Sequence, residues 1–183
     1  CCVGDIGTHA FNMVELVTGM KVKSVLADLN TLYEDNSMDV DANILIQFST
    51  NMKGTIRSSQ IATGEENNLR ISVYGEKGGL KWEQENPNYL YHLKDDAPLQ
   101  VLKSGHGYNN EISLDGTKLP PGHPEGIFDS MGNIYKGVAR AIRQESFVSE
   151  EFPSIEDGVR GMDFIEKTVE SNSKGNVWVE LNK

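Results

Sequence analysis

Apolar residues recur along this chain with two different periods, and the switches between them mark out its elements. Ile6, Ala10, Met13, Val14 and Val17 stand at helical spacing. Asp5 precedes the stripe, where a short carboxylate can accept hydrogen bonds from the free amides of a first turn. Gly19 follows it, where glycine takes the left-handed conformation cheaply. The spacing predicts a helix over 5–19. Lys21 to Tyr33 holds Val22, Val25, Leu26, Ala27 and Leu29 and reads as a strand, followed by a polar turn over Glu34 to Asp39. Val40, Ala42, Ile44, Ile46 and Phe48 then alternate with Asp41, Asn43, Leu45 and Gln47, the period of two of a half-buried strand. Thr50 to Gly54 reads as a hairpin loop, and Thr55 to Ala62 as the returning strand. Leu69, Ile71 and Val73 begin another strand that turns at Gly75–Gly79 into Leu80 and Trp82. Short strands follow at Tyr89, Tyr91 and Leu93 and at Leu99 to Leu102. No helix separates these strands, so they predict antiparallel pairing, because parallel neighbours need crossover segments.

From Lys103 to Glu125 the periodicity disappears into a long loop rich in Gly and Pro, which carries His106, Tyr108 and His123. Loops of this length in compact domains are usually functional or disordered. Helical spacing returns at Ile127, Met131, Ile134, Tyr135, Val138, Ala141 and Ile142. Ser154, with Asp157 three residues on, resembles a capping box, and Ile155, Val159, Met162, Ile165 and Val169 form the stripe of a last helix. Val177, Val179 and Leu181 read as a closing strand. The fold class is α+β: a large, mostly antiparallel sheet with helices packed on one face, its other face solvated or paired with a second subunit.

Composition narrows the function. The 183 residues are enough for one domain with a sizeable core, and 38% hydrophobic with 24% charged residues is ordinary for a globular protein. A net charge of -10 argues against nucleic acid and against an anionic membrane surface, since both select clustered Lys and Arg. No apolar run approaches the ~20 residues of a membrane span, and no signal-peptide pattern opens the chain. The two cysteines, Cys1 and Cys2, are adjacent and give no disulfide framework, which points to a reducing, cytoplasmic setting. The opening on Cys1-Cys2-Val3-Gly4, without Met, leads us to expect a single domain over 1–183 of a larger protein.

The candidate chemistry lies in the first helix. Asp5 and His9 are four residues apart and share a helical face. A carboxylate that orients an imidazole and stabilises its charged form makes a general base near neutral pH. The same pair also reads as a helix cap with an ordinary first-turn His. Asn12 lies three residues past His9, placed to hydrogen-bond a substrate hydroxyl or to line the surface. His92 reads as exposed; Arg57, Gln60 and the Glu65-Glu66-Asn67 loop could reach substrate or a partner, but read better as solvated surface. No metal site is expected, because only one pair of ligand-type residues is local. No G-x-S-x-G elbow is present.

Four stretches resemble one family, in the right order along the chain. They are Gly4-Asp5-Ile6-Gly7-Thr8-His9 with its helix to Thr18-Gly19, Val73 to Leu80, Gly122-His123-Pro124-Glu125-Gly126, and Phe152 to Gly158. Together they resemble the C-terminal domain of the glucose–fructose oxidoreductase and inositol dehydrogenase family (Gfo/Idh/MocA). The resemblance implies a Rossmann domain, absent from this chain, that binds NAD or NADP, and a sugar, polyol or derivative as substrate. It implies that His9 takes the hydroxyl proton and that Asp5 orients His9 or binds a neighbouring hydroxyl. Asn12 and His123 become substrate-binding candidates, and a homo-oligomer through the open sheet face is expected. The departures are informative. The chain has no glycine-rich phosphate loop opening a helix. Lys77 stands in Glu-Lys-Gly, whereas the family's catalytic Lys stands in Glu-Lys-Pro, and Asn12 stands where many relatives carry Asp. The chain alone is therefore expected to be inactive. Two other readings stay open: a non-catalytic sugar-binding or assembly module, and an NAD-dependent glycosidase of the same family.

Overall fold

Two compact units make up the structure, a computed structural model that describes residues 1–32, 34–35, 37–144 and 151–182. The first unit comprises residues 1–65 and 153–183, the second residues 66–152. Tyr33, the predicted end of the first strand, and Asn36 of the turn after it lie outside the described residues.

The first unit holds a π turn (Val3–Gly7), α1 (Thr8–Thr18), β1 (Val22–Asn30), β2 (Asp41–Phe48), β3 (Lys53–Ser59), α4 (Ile155–Ser173) and β8 (Val179–Glu180). The sheet is antiparallel, ordered β3-β2-β1-β8. Alternation decides which face is covered. Ala42, Ile44, Ile46 and Phe48 of β2 are buried, while Leu45 between them stays 45% exposed. α1 and α4 meet over the covered side, where Phe11 stacks on Phe164 with ring centroids 4.4 Å apart. Val22, Val25, Ala27, Ile56 and Leu181 complete the core.

The closing strand is only two residues long and pairs β1 at Ser24 and Val25. Farther along β1, side chains of α4 replace it: Ala27 N–H donates to Ser171 Oγ at 2.9 Å and Leu29 N–H to Asn172 Oδ1 at 2.9 Å. Backbone donors that would otherwise lie unpaired at a sheet edge are satisfied in this way. The sequence places Val177 and Leu181 in the strand as well, but they lie outside β8.

The second unit holds β4 (Arg70–Gly75), β5 (Gly78–Glu83), β6 (Tyr89–Lys94), β7 (Ala97–Lys103), α2 (Glu111–Gly116) and α3 (Ile127–Ile142). Its sheet is an antiparallel meander in the order β4-β5-β6-β7. Gly78 turns the first hairpin at φ +141°, and a Cβ there would sit 2.4 Å from Leu93 O, so the turn accepts only glycine. The predicted 103–125 loop contains a short helix, α2, whose first turn is capped by Asn110 Oδ1 accepting from Ser113 N–H at 2.9 Å. Asn–cap chemistry, rather than an apolar stripe, starts this helix, which is why the period gave no sign of it. The antiparallel α+β class is the one the sequence predicts, with its strands shared between two four-stranded sheets. No helix among the described residues is long and apolar enough to cross a membrane.

Candidate active site

The site begins with how the first helix is started. The spacing predicts Asp5 as N-cap, but the helical backbone begins two residues earlier, at Val3. Its first turn is wide: Thr8 N–H donates to Val3 O, five residues back. Such π turns are rare and often mark functional sites. The cap comes from elsewhere in the chain. Asp39, buried in the turn before β2, accepts from Val3 N–H at 2.9 Å through Oδ2, while its own carbonyl accepts from Cys2 N–H at 2.9 Å. A carboxylate at a helix N-terminus also meets the positive end of the helix dipole. The Cys2 thiol donates to the same Oδ2 at 3.0 Å. Burial pushes that thiol up to about 12, and the Asp39 bond adds to the shift, so Cys2 is an inert, protonated donor. Asp39→Ala removes both contacts, and unfolding free energy is expected to fall by about 2 kcal/mol. Urea denaturation would check this, an unchanged midpoint contradicting it.

Freed from capping, Asp5 has another partner: Gln60 Nε2 donates to Asp5 Oδ2 at 2.9 Å. Asp5, His9 and Asn12 are all exposed, and the helical period puts them on one side of the helix. The His9 side chain makes no hydrogen bond among the described residues, so the Asp5–His9 pair suggested by the spacing is not bonded here. The end of β3 lies close to this turn, with Ser58 Oγ within van der Waals reach of Gly7. Gln60, immediately after β3, is the site residue that sequence reasoning undervalued. It looked like one more polar group on a solvated strand, and no spacing links it to a residue 55 positions away.

The inner side of α1 is locked. Glu15 is 7% exposed and accepts from Val22 N–H at 2.8 Å, Lys21 Nζ at 2.8 Å and Arg160 Nη2 at 2.6 Å. Burial pushes its carboxyl up, but Arg160, Lys21 and the Val22 amide outweigh it and hold the group below the usual Glu range. Arg160 also donates to Val22 O at 3.0 Å. One ion pair thus ties α1, β1 and α4 together and fixes the rotation of the helix that presents His9. Gly19 closes the helix in the left-handed conformation at φ +64°, as predicted. The predicted capping box starts α4, with Ser154 Oγ accepting from Asp157 N–H at 3.1 Å.

His123 lies in the second unit, in the turn before α3. Its backbone N–H donates to Pro120 O at 3.1 Å and its ring Nδ1 lies 3.2 Å from the same oxygen. His106 stacks on Tyr108, whose hydroxyl oxygen accepts from Lys103 N–H at 2.9 Å, so both serve the loop. Among the described residues no group of three or more His, Cys, Asp or Glu is placed to hold a metal ion. Two of the glycine-rich turns are not arranged as a dinucleotide phosphate loop. The N-terminus of the first helix is already occupied by the Asp39 carboxylate, and the Gly75–Gly79 turn leads into a strand.

Asp5, His9 and Asn12 form an exposed polar face on a helix that packs against an antiparallel sheet. Over residues 1–81 the chain matches the GFO/IDH/MocA C-terminal domain, the family that its motifs resemble. An uncharacterized oxidoreductase of Bacillus subtilis, YfiI, is 30% identical over 187 residues, which cover 98% of this chain and 48% of YfiI. An oxidoreductase from Sinorhizobium meliloti, known as a crystal structure, superposes with a TM-score of 0.91 at 35% identity, over 97% of this chain and 51% of that one. An inositol dehydrogenase homologue from Azotobacter vinelandii, crystallised with NADH and myo-inositol, superposes at 0.83 with 26% identity, over 98% of this chain and 49% of that one. The chain spans about half the length of these relatives.

Proposed function

We propose that this chain is the substrate-side half of an NAD(P)-linked oxidoreductase acting on a sugar, a polyol or a derivative. The observation that carries the reading is the exposed, unbonded His9 beside Asp5 and Asn12 on a helix whose inner face is locked by Glu15 and Arg160. A base for alcohol oxidation has to reach a hydroxyl proton, so it must be exposed, oriented by its scaffold and free of structural bonds. A nicotinamide, when bound by another part of the full-length protein, supplies the hydride acceptor. Within this chain, His9 takes the hydroxyl proton, Asp5 accepts a hydrogen bond from a neighbouring hydroxyl, and Asn12 offers an amide to a third. The open face of the β1–β3 sheet pairs subunits. The NADH- and myo-inositol-bound relative supports both the cofactor type and the substrate class.

The test is reduction of NAD and of NADP at 340 nm by the full-length protein across a panel of sugars and polyols. Reduction by one substrate class supports the proposal. A protein that binds the cofactor but reduces it with no panel member contradicts it, and a glycoside panel would then examine the glycosidase alternative.

A further inference from the structure

Asp5 could serve His9 or serve substrate, and the geometry distinguishes the two. We infer that Gln60 is a positioning residue for Asp5: its amide holds Oδ2, leaving Oδ1 to accept a hydrogen bond from a substrate hydroxyl, so Asp5 recognises substrate and does not pair with His9. This rests on the oxidoreductase reading above.

The bond itself is well formed, Gln60 Nε2 donating to Asp5 Oδ2 at 2.9 Å, and it joins residues 55 positions apart. Both ends are anchored by the same short stretch of chain. Gln60 N–H donates to Val40 O at 2.8 Å, while the neighbouring Asp39 caps the turn on which Asp5 stands. Carboxylate and amide are therefore brought together by one scaffold and do not meet as free surface groups. A bond between two exposed, unanchored side chains contributes little to stability, because water competes for both groups. A carboxylate held at one oxygen presents the other in a fixed direction, which is what discrimination among hydroxyl groups requires. Gln60 also has a second Nε2 proton, which the Asp5 bond does not use, to offer a hydroxyl that Asp5 accepts from.

The experiment uses the full-length protein with Gln60→Glu and Gln60→Lys. Glu keeps the shape of Gln but turns the donor into a repelling acceptor, whereas Lys keeps a donor. With the polyol that reduces the cofactor in wild type, Gln60→Glu is expected to raise the polyol KM about tenfold to a hundredfold. The cofactor KM and the thermal midpoint should stay at wild-type values, and Gln60→Lys should remain within about threefold of wild type. A second readout needs no turnover. In a nitrogen–proton correlation spectrum the Gln60 side-chain proton bonded to Asp5 should be displaced from its ordinary amide shift and should return towards it in Asp5→Ala. A wild-type polyol KM in Gln60→Glu, or a Gln60 amide indifferent to Asp5→Ala, overturns the inference. If His9→Ala abolishes turnover while Gln60→Glu leaves KM unchanged, only this inference falls. If wild type reduces the cofactor with no polyol, the oxidoreductase reading falls and takes this one with it.

Discussion

His9→Ala in the full-length protein is expected to lower turnover by roughly 10²- to 10⁴-fold, the usual contribution of a positioned general base. Cofactor affinity, followed by NADH fluorescence, should stay unchanged, because the proposed role of His9 is confined to the hydroxyl proton. The capping carboxylate of Asp39 sits where a helix N-terminus would otherwise attract an anion. The fold should survive as well. His9 is exposed and bonded to nothing among the described residues, so its loss removes no structural contact. That combination, a large kinetic effect with little effect on stability, separates a base from the helix-cap reading that the sequence leaves open. Near-normal turnover in His9→Ala would reject the base assignment and favour the non-catalytic module.

Arg160→Leu is expected to have the largest effect on stability, about 3 kcal/mol. It leaves Glu15, with a side chain only 6% exposed, without its closest partner, while Lys21 and the Val22 amide remain. Urea denaturation measures the loss, and faster amide exchange at Val22 would locate it. The pH dependence has a definite sign. The carboxyl of Glu15 is held below its unfolded value, so the ion pair contributes fully above about pH 4.3. That contribution is lost as the pH falls from there through the lowered folded value. In Arg160→Leu the acid-induced part of the destabilisation should shrink, because much of it is already lost at neutral pH. A variant that keeps wild-type stability at pH 7 and its full acid sensitivity would refute the role given to Arg160. Since the pair orients α1, loosened packing should also lower turnover, although neither residue faces substrate.

The two predictions differ in how legible their residues were. His9 was visible in the sequence because one helix carries it, Asp5 and Asn12, and helical spacing is local information. Arg160 and Glu15 were not, because they are 145 positions apart and each fits an ordinary polar site on its own helix. Asp39 and Gln60 were hidden for the same reason. The sequence made Asp5 the cap because it is the nearest acidic residue before the stripe. The cap is a residue 36 positions from Val3, which frees Asp5 for another task.

Local chemistry in the sequence determined where helices and strands form. It placed the glycine that ends α1, the Ser154 box that starts α4, the alternation that buries Ala42, Ile44, Ile46 and Phe48, and the antiparallel α+β class. It also pointed to the family, since the motifs are short and contiguous. Tertiary structure alone decided how the strands divide between two sheets, where the first helix starts, what caps it, and which partner Asp5 takes. Each of those depends on groups distant in sequence brought within hydrogen-bonding distance, a relation that no period or propensity along the chain encodes.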